Sequence, residues 1–347
     1  MKTTPARTIA ELKELRELTG DENGAQRVAF TETWAKARAW LRKKLEMFCP
    51  DIRTDEAGNL WATLRGESDK ALLIGGHIDS VPNGGWLDGC LNTLAALEIL
   101  RRVHAQYNGR PPVTVRLVDW ADEEGARFGK SLFGSSACSG HLDMDEARTL
   151  RDKQGVTLPA ALEQQGIDFE KVKDCGKELA NAAAYLELHI EQGPVLLDLD
   201  RPLGTVLGTF GVERHAITFR GQAAHSGSTP MNRRKDAFLA AAKMSPEIYQ
   251  ITERNGGVCT IGSCTTKPGI VTSVVEECRI TLDQRHLDAA ALACMLAEAK
   301  AASEHFANSR TRRRSLSPPF RPAPRRRRSR PLRHPHHHDV RPKPPRH

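Results

Sequence analysis

Residues 71–89, ALLIGGHIDSVPNGGWLDG, place a short apolar run directly before a polar loop that carries one histidine and two aspartates. The run at 71–74 has the length of a buried strand, and leucines that recur every three residues after the loop predict a helix. A strand end and a helix start thus bring His77, Asp79 and Asp88 close together. Imidazole and carboxylate groups are ligands of divalent transition metals. Taken alone, the pattern supports a metal site and a solvated polar turn about equally.

The composition is that of a globular protein, and 347 residues suggest about two domains. The sequence contains no apolar run close to the roughly 18 residues of a membrane span. Its first residues, MKTTPARTIAELKEL, lack the apolar core of a signal peptide. The eight cysteines are scattered and form no CxxC pair, so we expect reduced thiols and a cytoplasmic protein.

The positive net charge is concentrated in one segment. Residues 309–347 hold 14 Lys and Arg against one Asp, whereas the whole chain has a net charge of +8, so residues 1–308 carry a net charge of −5. A mildly acidic body argues against nucleic-acid binding by residues 1–308. Nucleic-acid binding by the basic tail remains a less favoured alternative.

Three regions follow from the order of the patterns. Strand and helix patterns alternate through residues 1–208, which predicts an α/β sheet domain. Residues 209–305 combine several antiparallel-type strands with two helices, which predicts a smaller α+β domain. Residues 306–347 are rich in Arg, Pro and His, and we expect a disordered tail. The predicted helices include 8–17, 26–48, 235–252 and 288–303, and the predicted strands include those of a hairpin at 51–64 and the segments 214–220, 258–264 and 277–285.

Two further groups of potential metal ligands also follow predicted strands. Glu123 and Glu124 are adjacent, so one could bind a metal while the other acts as a base on a water molecule. His189 lies near the end of an alternating apolar and polar run. A lone pair of glutamates is usually an exposed acidic turn, but its combination with the loop at 77–88 and with His189 favours a metal site.

At this point the chain resembles a known family, the dinuclear-metal amidohydrolases of the M20 peptidase superfamily. The resemblance is to the branch that contains N-carbamoyl-L-amino-acid hydrolases, allantoate amidohydrolases and β-ureidopropionases, and it spans about residues 26–303. The stretches that carry it are GGHIDSVPNGGWLDG, ADEEGARFGKSLFGS, YLELHIEQGPVL, GQAAHSGSTPMNRRKDA and ITLDQRH. The resemblance implies an α/β domain with a mixed sheet that carries the metal ions. It also implies a smaller, inserted α+β domain that acts as lid and dimer interface.

The resemblance also implies a role for each matching residue of the metal centre. His77 and His189 would bind one divalent ion, Asp88 would bridge two, and Glu124 would bind the second. Asp79 would orient His77, and we expect the ions to be zinc, manganese, cobalt or nickel.

The remaining roles concern catalysis and the substrate. Glu123 would be the general base, and His225 would stabilise the developing oxyanion. Gln192 and Arg285 would bind the substrate, with Arg285 forming a bidentate pair with its carboxylate. Taken alone, His225 is equally well an exposed turn histidine and Arg285 an ordinary strand arginine.

The chain departs from the family at a few positions. Thr272 stands where the family has an asparagine for the substrate carboxylate, and Asn92 replaces a usual glycine. The resemblance ends near residue 305, whereas family members continue and supply a last histidine to the second metal. We therefore expect an unrelated or frameshifted tail and an incomplete second metal site.

The function implied is hydrolysis of the C–N bond of a ureido group. N-carbamoyl-L-amino acids are the favoured substrates, giving amino acid, ammonia and carbon dioxide, and allantoate is the alternative. The expected partners are this small substrate and a second copy of the chain, without a membrane. The rival interpretation, from a different class of function, is that the chain is an inactive truncated or frameshifted product.

Overall fold

The computed structural model describes residues 4–308 and 314–316. The chain divides into two compact units, the first ending at Pro202 and the second beginning at Leu203. None of the helices in these described ranges is both long and apolar enough to cross a membrane.

The first unit is an α/β unit built on a five-stranded mixed sheet. Its helices are α1 (Pro5–Thr19), α2 (Glu32–Glu46), α3 (Cys90–Tyr107), α4 (Phe133–Cys138), α5 (Met144–Thr149), α6 (Leu158–Glu163) and α7 (Val195–Asp198), with a 3-10 helix at Phe169–Leu179. Its strands are β1 (Gly20–Asp21), β2 (Gly24–Ala25), β3 (Asp51–Thr54), β4 (Leu60–Leu64), β5 (Ser68–His77), β6 (Val113–Trp120) and β7 (Ala182–Leu186).

The strand order of the sheet is β3-β4-β6-β5-β7. Strand β5 is parallel to both β6 and β7, whereas β3 and β4 form the predicted antiparallel hairpin and β4 is antiparallel to β6. His77 at the end of β5 pairs in register with Trp120 at the end of β6. Because parallel strands end at the same edge of a sheet, the segments that follow β5, β6 and β7 meet there.

The middle of the sheet lies in the core because its central strands and the helices that cover them bury apolar residues. All five residues of β4 are buried, as are the last six of β6. Helix α3 packs on β5 and β6 and buries Leu94, Leu97 and Leu100, while α1 packs on α2 and α3. Burying one such leucine side chain stabilises the fold by roughly 1.5–3 kcal/mol.

The second helix is shorter than the sequence predicts, since α2 begins at Glu32 rather than at residue 26. Phe30 has a left-handed φ of 59°, and the Thr31 hydroxyl accepts a hydrogen bond from the Trp34 N–H as an N-cap. Residues 26–31 instead form an irregular segment that buries the Arg27 side chain, whose Nε donates to the carbonyl of Ile78 at 2.7 Å.

The second unit has the predicted α+β composition. Its strands are β8 (Gly211–Arg220), β9 (Ala224–His225), β10 (Val258–Thr260), β11 (Cys264–Lys267), β12 (Ser273–Val274), β13 (Glu277–His286) and β14 (Arg314–Leu316), and its helices are α8 (Ala237–Asn255), α9 (Ala289–Asn308) and a 3-10 turn at Met231–Arg233. The main sheet is antiparallel, in the order β10-β13-β8-β14, with β11 also paired to β13.

Helices α8 and α9 pack on β8 and β13 and enclose a separate apolar core that includes Ile217, Met244 and Met295. The strand predicted at 258–264 is divided into β10 and β11. Helix α9 continues to Asn308, and residues 314–316 pair with β8, so these parts of the predicted tail have regular structure. The remainder of the tail expected to be disordered lies outside the described residues.

Candidate metal centre

The sequence-predicted groups of the first unit lie at the edge where β5, β6 and β7 end. The loop after β5 carries Asp79 and Asp88, the loop after β6 carries Glu123 and Glu124, and the segment after β7 carries the last group, His189 and Gln192. The strand topology therefore brings together side chains that are more than 100 residues apart in the chain.

His77 is the last residue of β5 and is 2% exposed. Its Nδ1 lies 3.1 Å from the backbone oxygen of Asp79, which fixes the tautomer with Nδ1–H as donor. Its Nε2 lies 3.6 Å from Glu123 Oε2 and offers a lone pair when the ring is neutral. Gly89 makes this close packing possible, because a Cβ there would lie 2.5 Å from Nε2 and the residue has a φ of +62°.

His189 is more exposed than His77, but its Nδ1 also lies close to a backbone carbonyl oxygen. Its Nδ1 lies 2.6 Å from the carbonyl oxygen of Ile190, and its Nε2 lies 3.6 Å from Asp88 Oδ1. Gln192 Nε2 donates to the other oxygen, Asp88 Oδ2, at 2.6 Å. Asp88 Oδ1 is buried and accepts no hydrogen bond.

Asp79 supports the centre in a way that the sequence did not predict. Its buried carboxylate accepts hydrogen bonds from the backbone N–H groups of Glu123 and Glu124, at 3.3 and 3.1 Å. Its Oδ1 is 3.6 Å from His77 Nδ1, longer than the contact that His77 makes with the Asp79 backbone oxygen. Asp79 thus orients His77 through its main chain and the two glutamates through its side chain.

The electrostatics of the cluster favour a cation. Burial raises the pKa of Glu123 and of Glu124, and the positive charge of His77 opposes that rise. Burial lowers the pKa of His77, but the nearby Asp79 carboxylate and the charges of Glu123 and Glu124 outweigh it and raise the pKa to about 10. Several carboxylates crowded at one edge stabilise positive charge placed among them.

The donor set fits a divalent metal. In both His77 and His189, Nδ1 donates a hydrogen bond to a backbone carbonyl oxygen, which leaves Nε2 as the atom that can bind a metal. Metal-binding histidines usually have this hydrogen bond. Asp88 Oδ1, 3.6 Å from His189 Nε2, is buried without a hydrogen-bond partner, and such an atom requires an explanation. A cation bound by His77, Asp88 and His189 provides one.

A second group of potential ligand atoms lies behind the centre. Asp55, Cys138 and Cys175 offer one oxygen and two sulfurs within 4.8 Å of one another, all buried. Asp55, however, already accepts hydrogen bonds from Ala57 N, Trp61 Nε1 and two donors of Asn59. Burial and the neighbouring thiol raise the pKa of Cys138, which disfavours the thiolate that a metal requires. This group is therefore better explained as a hydrogen-bonded part of the core.

The last two sequence-predicted residues, His225 and Arg285, belong to the second unit. His225 ends β9, and its Nδ1 accepts hydrogen bonds from the N–H groups of Gly227 and Ser228 at 3.1 and 3.3 Å. Neutral His225 therefore carries its proton on Nε2. Arg285 Nε and Nη2 are bound to the two oxygens of Asp283 at 2.7 and 3.2 Å, a pairing that the sequence did not predict.

Comparison with known proteins shows the family to which the chain belongs. The family model described as peptidase family M20/M25/M40 matches residues 73–314. An N-carbamoyl-L-amino acid amidohydrolase from Geobacillus stearothermophilus is 35% identical over 271 residues, which cover 77% of this chain and 65% of that protein. An allantoate amidohydrolase from Escherichia coli strain K12 is 34% identical over 281 residues, 78% of this chain and 66% of that protein. The chain thus spans about two thirds of the length of these relatives.

A solved structure gives the same result for the fold. The crystal structure of a hydantoinase/carbamoylase family amidase from Burkholderia ambifaria matches with a TM-score of 0.77 and 30% identity, covering 92% of this chain and 80% of that one. The family model covers the loops after β5, β6 and β7 as well as the second unit. The chain therefore belongs to peptidase family M20/M25/M40.

Proposed function

We propose that this chain carries the metal centre of a hydrolase that cleaves the C–N bond of a ureido group. The favoured substrate is an N-carbamoyl-L-amino acid, and the products are the amino acid, ammonia and carbon dioxide. The observation that carries the proposal is the buried, unpartnered Asp88 Oδ1 beside the Nε2 atom of His189, within a cluster that also holds His77 and two glutamates. The name of the Geobacillus stearothermophilus relative supports the substrate class.

Two divalent ions are proposed as cofactors, each zinc, manganese, cobalt or nickel. His77, Asp88 and His189 would hold one, while Asp88 and Glu124 would contribute to the other. When bound, such ions lower the pKa of water and polarise a carbonyl group.

Glu123 is assigned the role of general base. Its carboxylate lies 3.6 Å from His77 Nε2, and the Asp79 carboxylate binds its backbone N–H, so both ends of the residue are held. A side chain at this position can take a proton from the attacking water and return it to the leaving nitrogen. Burial raises the pKa of Glu123 and makes its carboxylate a stronger base.

The remaining roles come from the resemblance. Gln192 would bind polar groups of the substrate, and its amide already donates to Asp88 Oδ2. His225 would stabilise the oxyanion, for which the Nε2–H tautomer is the required one. Arg285 would bind the substrate carboxylate, which would have to compete with Asp283 for the guanidinium group. A homodimer through the second unit and a cytoplasmic location are proposed on the same basis.

Allantoate is the second candidate substrate, because the Escherichia coli relative named for it is almost as similar as the carbamoyl hydrolase.

The test is ammonia release by the 347-residue chain, supplied with each candidate metal and given N-carbamoyl amino acids of both configurations or allantoate. The proposal expects metal-dependent ammonia release from an N-carbamoyl-L-amino acid, with the D form as a matched control. Ammonia release from allantoate alone would transfer the assignment to the alternative, and release from neither substrate would overturn the proposal.

A further inference from the structure

Asn59 lies directly behind the loop that carries the two glutamates of the metal centre. It precedes β4 at the hairpin turn and is fully buried. Nothing in the sequence patterns singles it out, because its contacts are with residues 62 and 75 positions further along the chain. A buried amide needs several hydrogen-bond partners at once, and the identity of those partners shows what it holds in place.

The Asn59 amide joins the two ends of the loop at residues 121–134. Its Oδ1 accepts a hydrogen bond from the Ala121 N–H at 2.9 Å, where the loop begins. Its Nδ2 donates towards the Gly134 carbonyl at 3.4 Å, where the loop ends. Backbone hydrogen bonds close the same base, from Gly134 N to Ala121 O at 2.9 Å and from Phe133 N to Asp122 O at 3.1 Å.

Gly134 shows how closely the amide approaches the base of the loop. A Cβ at this position would lie 1.9 Å from Asn59 Oδ1 and 2.8 Å from the backbone nitrogen of Ala121. No side chain could occupy that space, so a glycine is required for the amide to reach both strands of the loop.

Asp55 fixes the Asn59 amide in turn. Asp55 Oδ2 accepts from Asn59 Nδ2 at 2.9 Å, and Asp55 Oδ1 accepts from the Asn59 backbone N–H at 2.9 Å. With Nδ2 directed at a carboxylate, the amide oxygen must face Ala121. The orientation of the amide is therefore set by charge and not by packing alone.

The loop that carries Glu123 and Glu124 is thus held at two places. The Asp79 carboxylate binds both glutamate N–H groups near the tip, and Asn59 binds the base. We propose that Asn59, oriented by Asp55, is a positioning residue that holds Glu123 and Glu124 in register with His77. The inference rests on the proposed function for the roles of the two glutamates.

Hydrogen–deuterium exchange tests the inference without any activity measurement. In the unaltered chain, the Ala121 N–H should be among the slowly exchanging amides, because its acceptor is a buried side chain. In Asn59→Ala, amide exchange in residues 121–134 should accelerate on the order of tenfold or more. The ratio of the exchange rates in β5 to those in α3 should stay the same as in the unaltered chain. A rapidly exchanging Ala121 amide in the unaltered chain would overturn the inference even if Asn59→Ala fails to fold.

Trp61→Phe is the matched control. It removes one hydrogen bond from the same Asp55 carboxylate, that of Trp61 Nε1 at 2.7 Å, but leaves the bonds of Asn59 to the loop. The control should lower thermal stability without selective exchange in residues 121–134. Equal acceleration in both variants would show a general structural role for the turn and would contradict the inference.

Cobalt titration connects the loop to the metal centre. Asn59→Ala should weaken Co²⁺ binding by roughly tenfold or more, and Trp61→Phe should leave it unchanged at temperatures where both are folded. Unchanged Co²⁺ affinity in Asn59→Ala would overturn the link to the metal centre. If the unaltered chain binds no Co²⁺, Zn²⁺, Mn²⁺ or Ni²⁺, the proposed function fails, whereas the exchange measurement still decides the role of Asn59 in the loop.

Discussion

At the scale of single residues, Glu123 is proposed as the general base, whereas its neighbours His77 and Glu124 are proposed as metal ligands. The Glu123 carboxylate is 33% exposed and lies at the rim of the cluster, whereas His77 is 2% exposed. We expect Glu123→Gln to retain metal but to lose turnover by about 10²–10⁴-fold, because a carboxamide cannot accept a proton from water. The measurement is ammonia release together with metal content for the same preparation.

Glu56→Gln is a suitable control for this substitution. Glu56 lies in the β3–β4 turn and pairs with Lys177, away from the cluster. The control should keep both metal and turnover. A Glu123→Gln variant with ordinary rates would show that another residue is the base.

Single residues also show how far the sequence could predict the site. The sequence predicts His77, Asp88 and His189 as metal ligands because they lie at strand ends or before a helix and carry imidazole or carboxylate groups, and this role stays a prediction. The binding of two backbone N–H groups by Asp79 was not predictable, because it depends on the path of the β6 loop in space. The pairing of Arg285 with Asp283 could have been predicted, because residues two apart in a strand share one face of the sheet.

At the scale of elements, a side-chain cap precedes the first residue of helices α2 and α8. The Asp236 side chain accepts hydrogen bonds from the N–H groups of Phe238 and Leu239, at 3.0 and 3.2 Å, at the start of α8. Asp236→Ala should destabilise the second unit by about 1 kcal/mol, since the cap and its favourable charge at the helix N-terminus are lost. Urea denaturation measures the free energy of unfolding. Lys243→Ala, an exposed substitution in the same helix, should change it by less than about 0.5 kcal/mol; an equal effect of both would contradict the cap.

The element boundaries follow the same physics. The apolar spacing from residue 26 to 48 predicts one helix, but spacing alone does not reveal that Phe30 adopts a left-handed conformation. The Thr31 cap then starts α2 at Glu32. Periodicity therefore predicted that a helix exists here, while its first residue depended on a local backbone conformation and on the burial of Arg27.

At the scale of the whole molecule, the carboxylate cluster links metal binding to the stability of the first unit. The folded unit holds Asp79, Asp88, Glu123 and Glu124 close together, and a bound cation relieves their mutual repulsion. A ligand that binds only the folded state at 100 times its dissociation constant stabilises it by about 2.7 kcal/mol. For a unit of this size, adding metal to the chelated protein should raise the melting temperature by roughly 5–10 °C.

Calorimetry of the chelated chain, before and after addition of Zn²⁺ or Mn²⁺, checks this expectation. His77→Ala provides the control, because the variant should show little increase on metal addition. An increase of the same size in the control would place the bound ion elsewhere, for example at the cysteine pair of Cys138 and Cys175.

His77 and His189 are proposed to hold a divalent ion against Asp88. Elemental analysis of the dialysed chain, of His77→Ala and of His189→Ala tests it most directly, with His141→Ala as the control because His141 is an exposed histidine of the same unit. The account predicts at least one tightly bound ion per unaltered chain and per control chain, and loss of most of that ion in both His77→Ala and His189→Ala. Unchanged metal content in either of these two variants would contradict it.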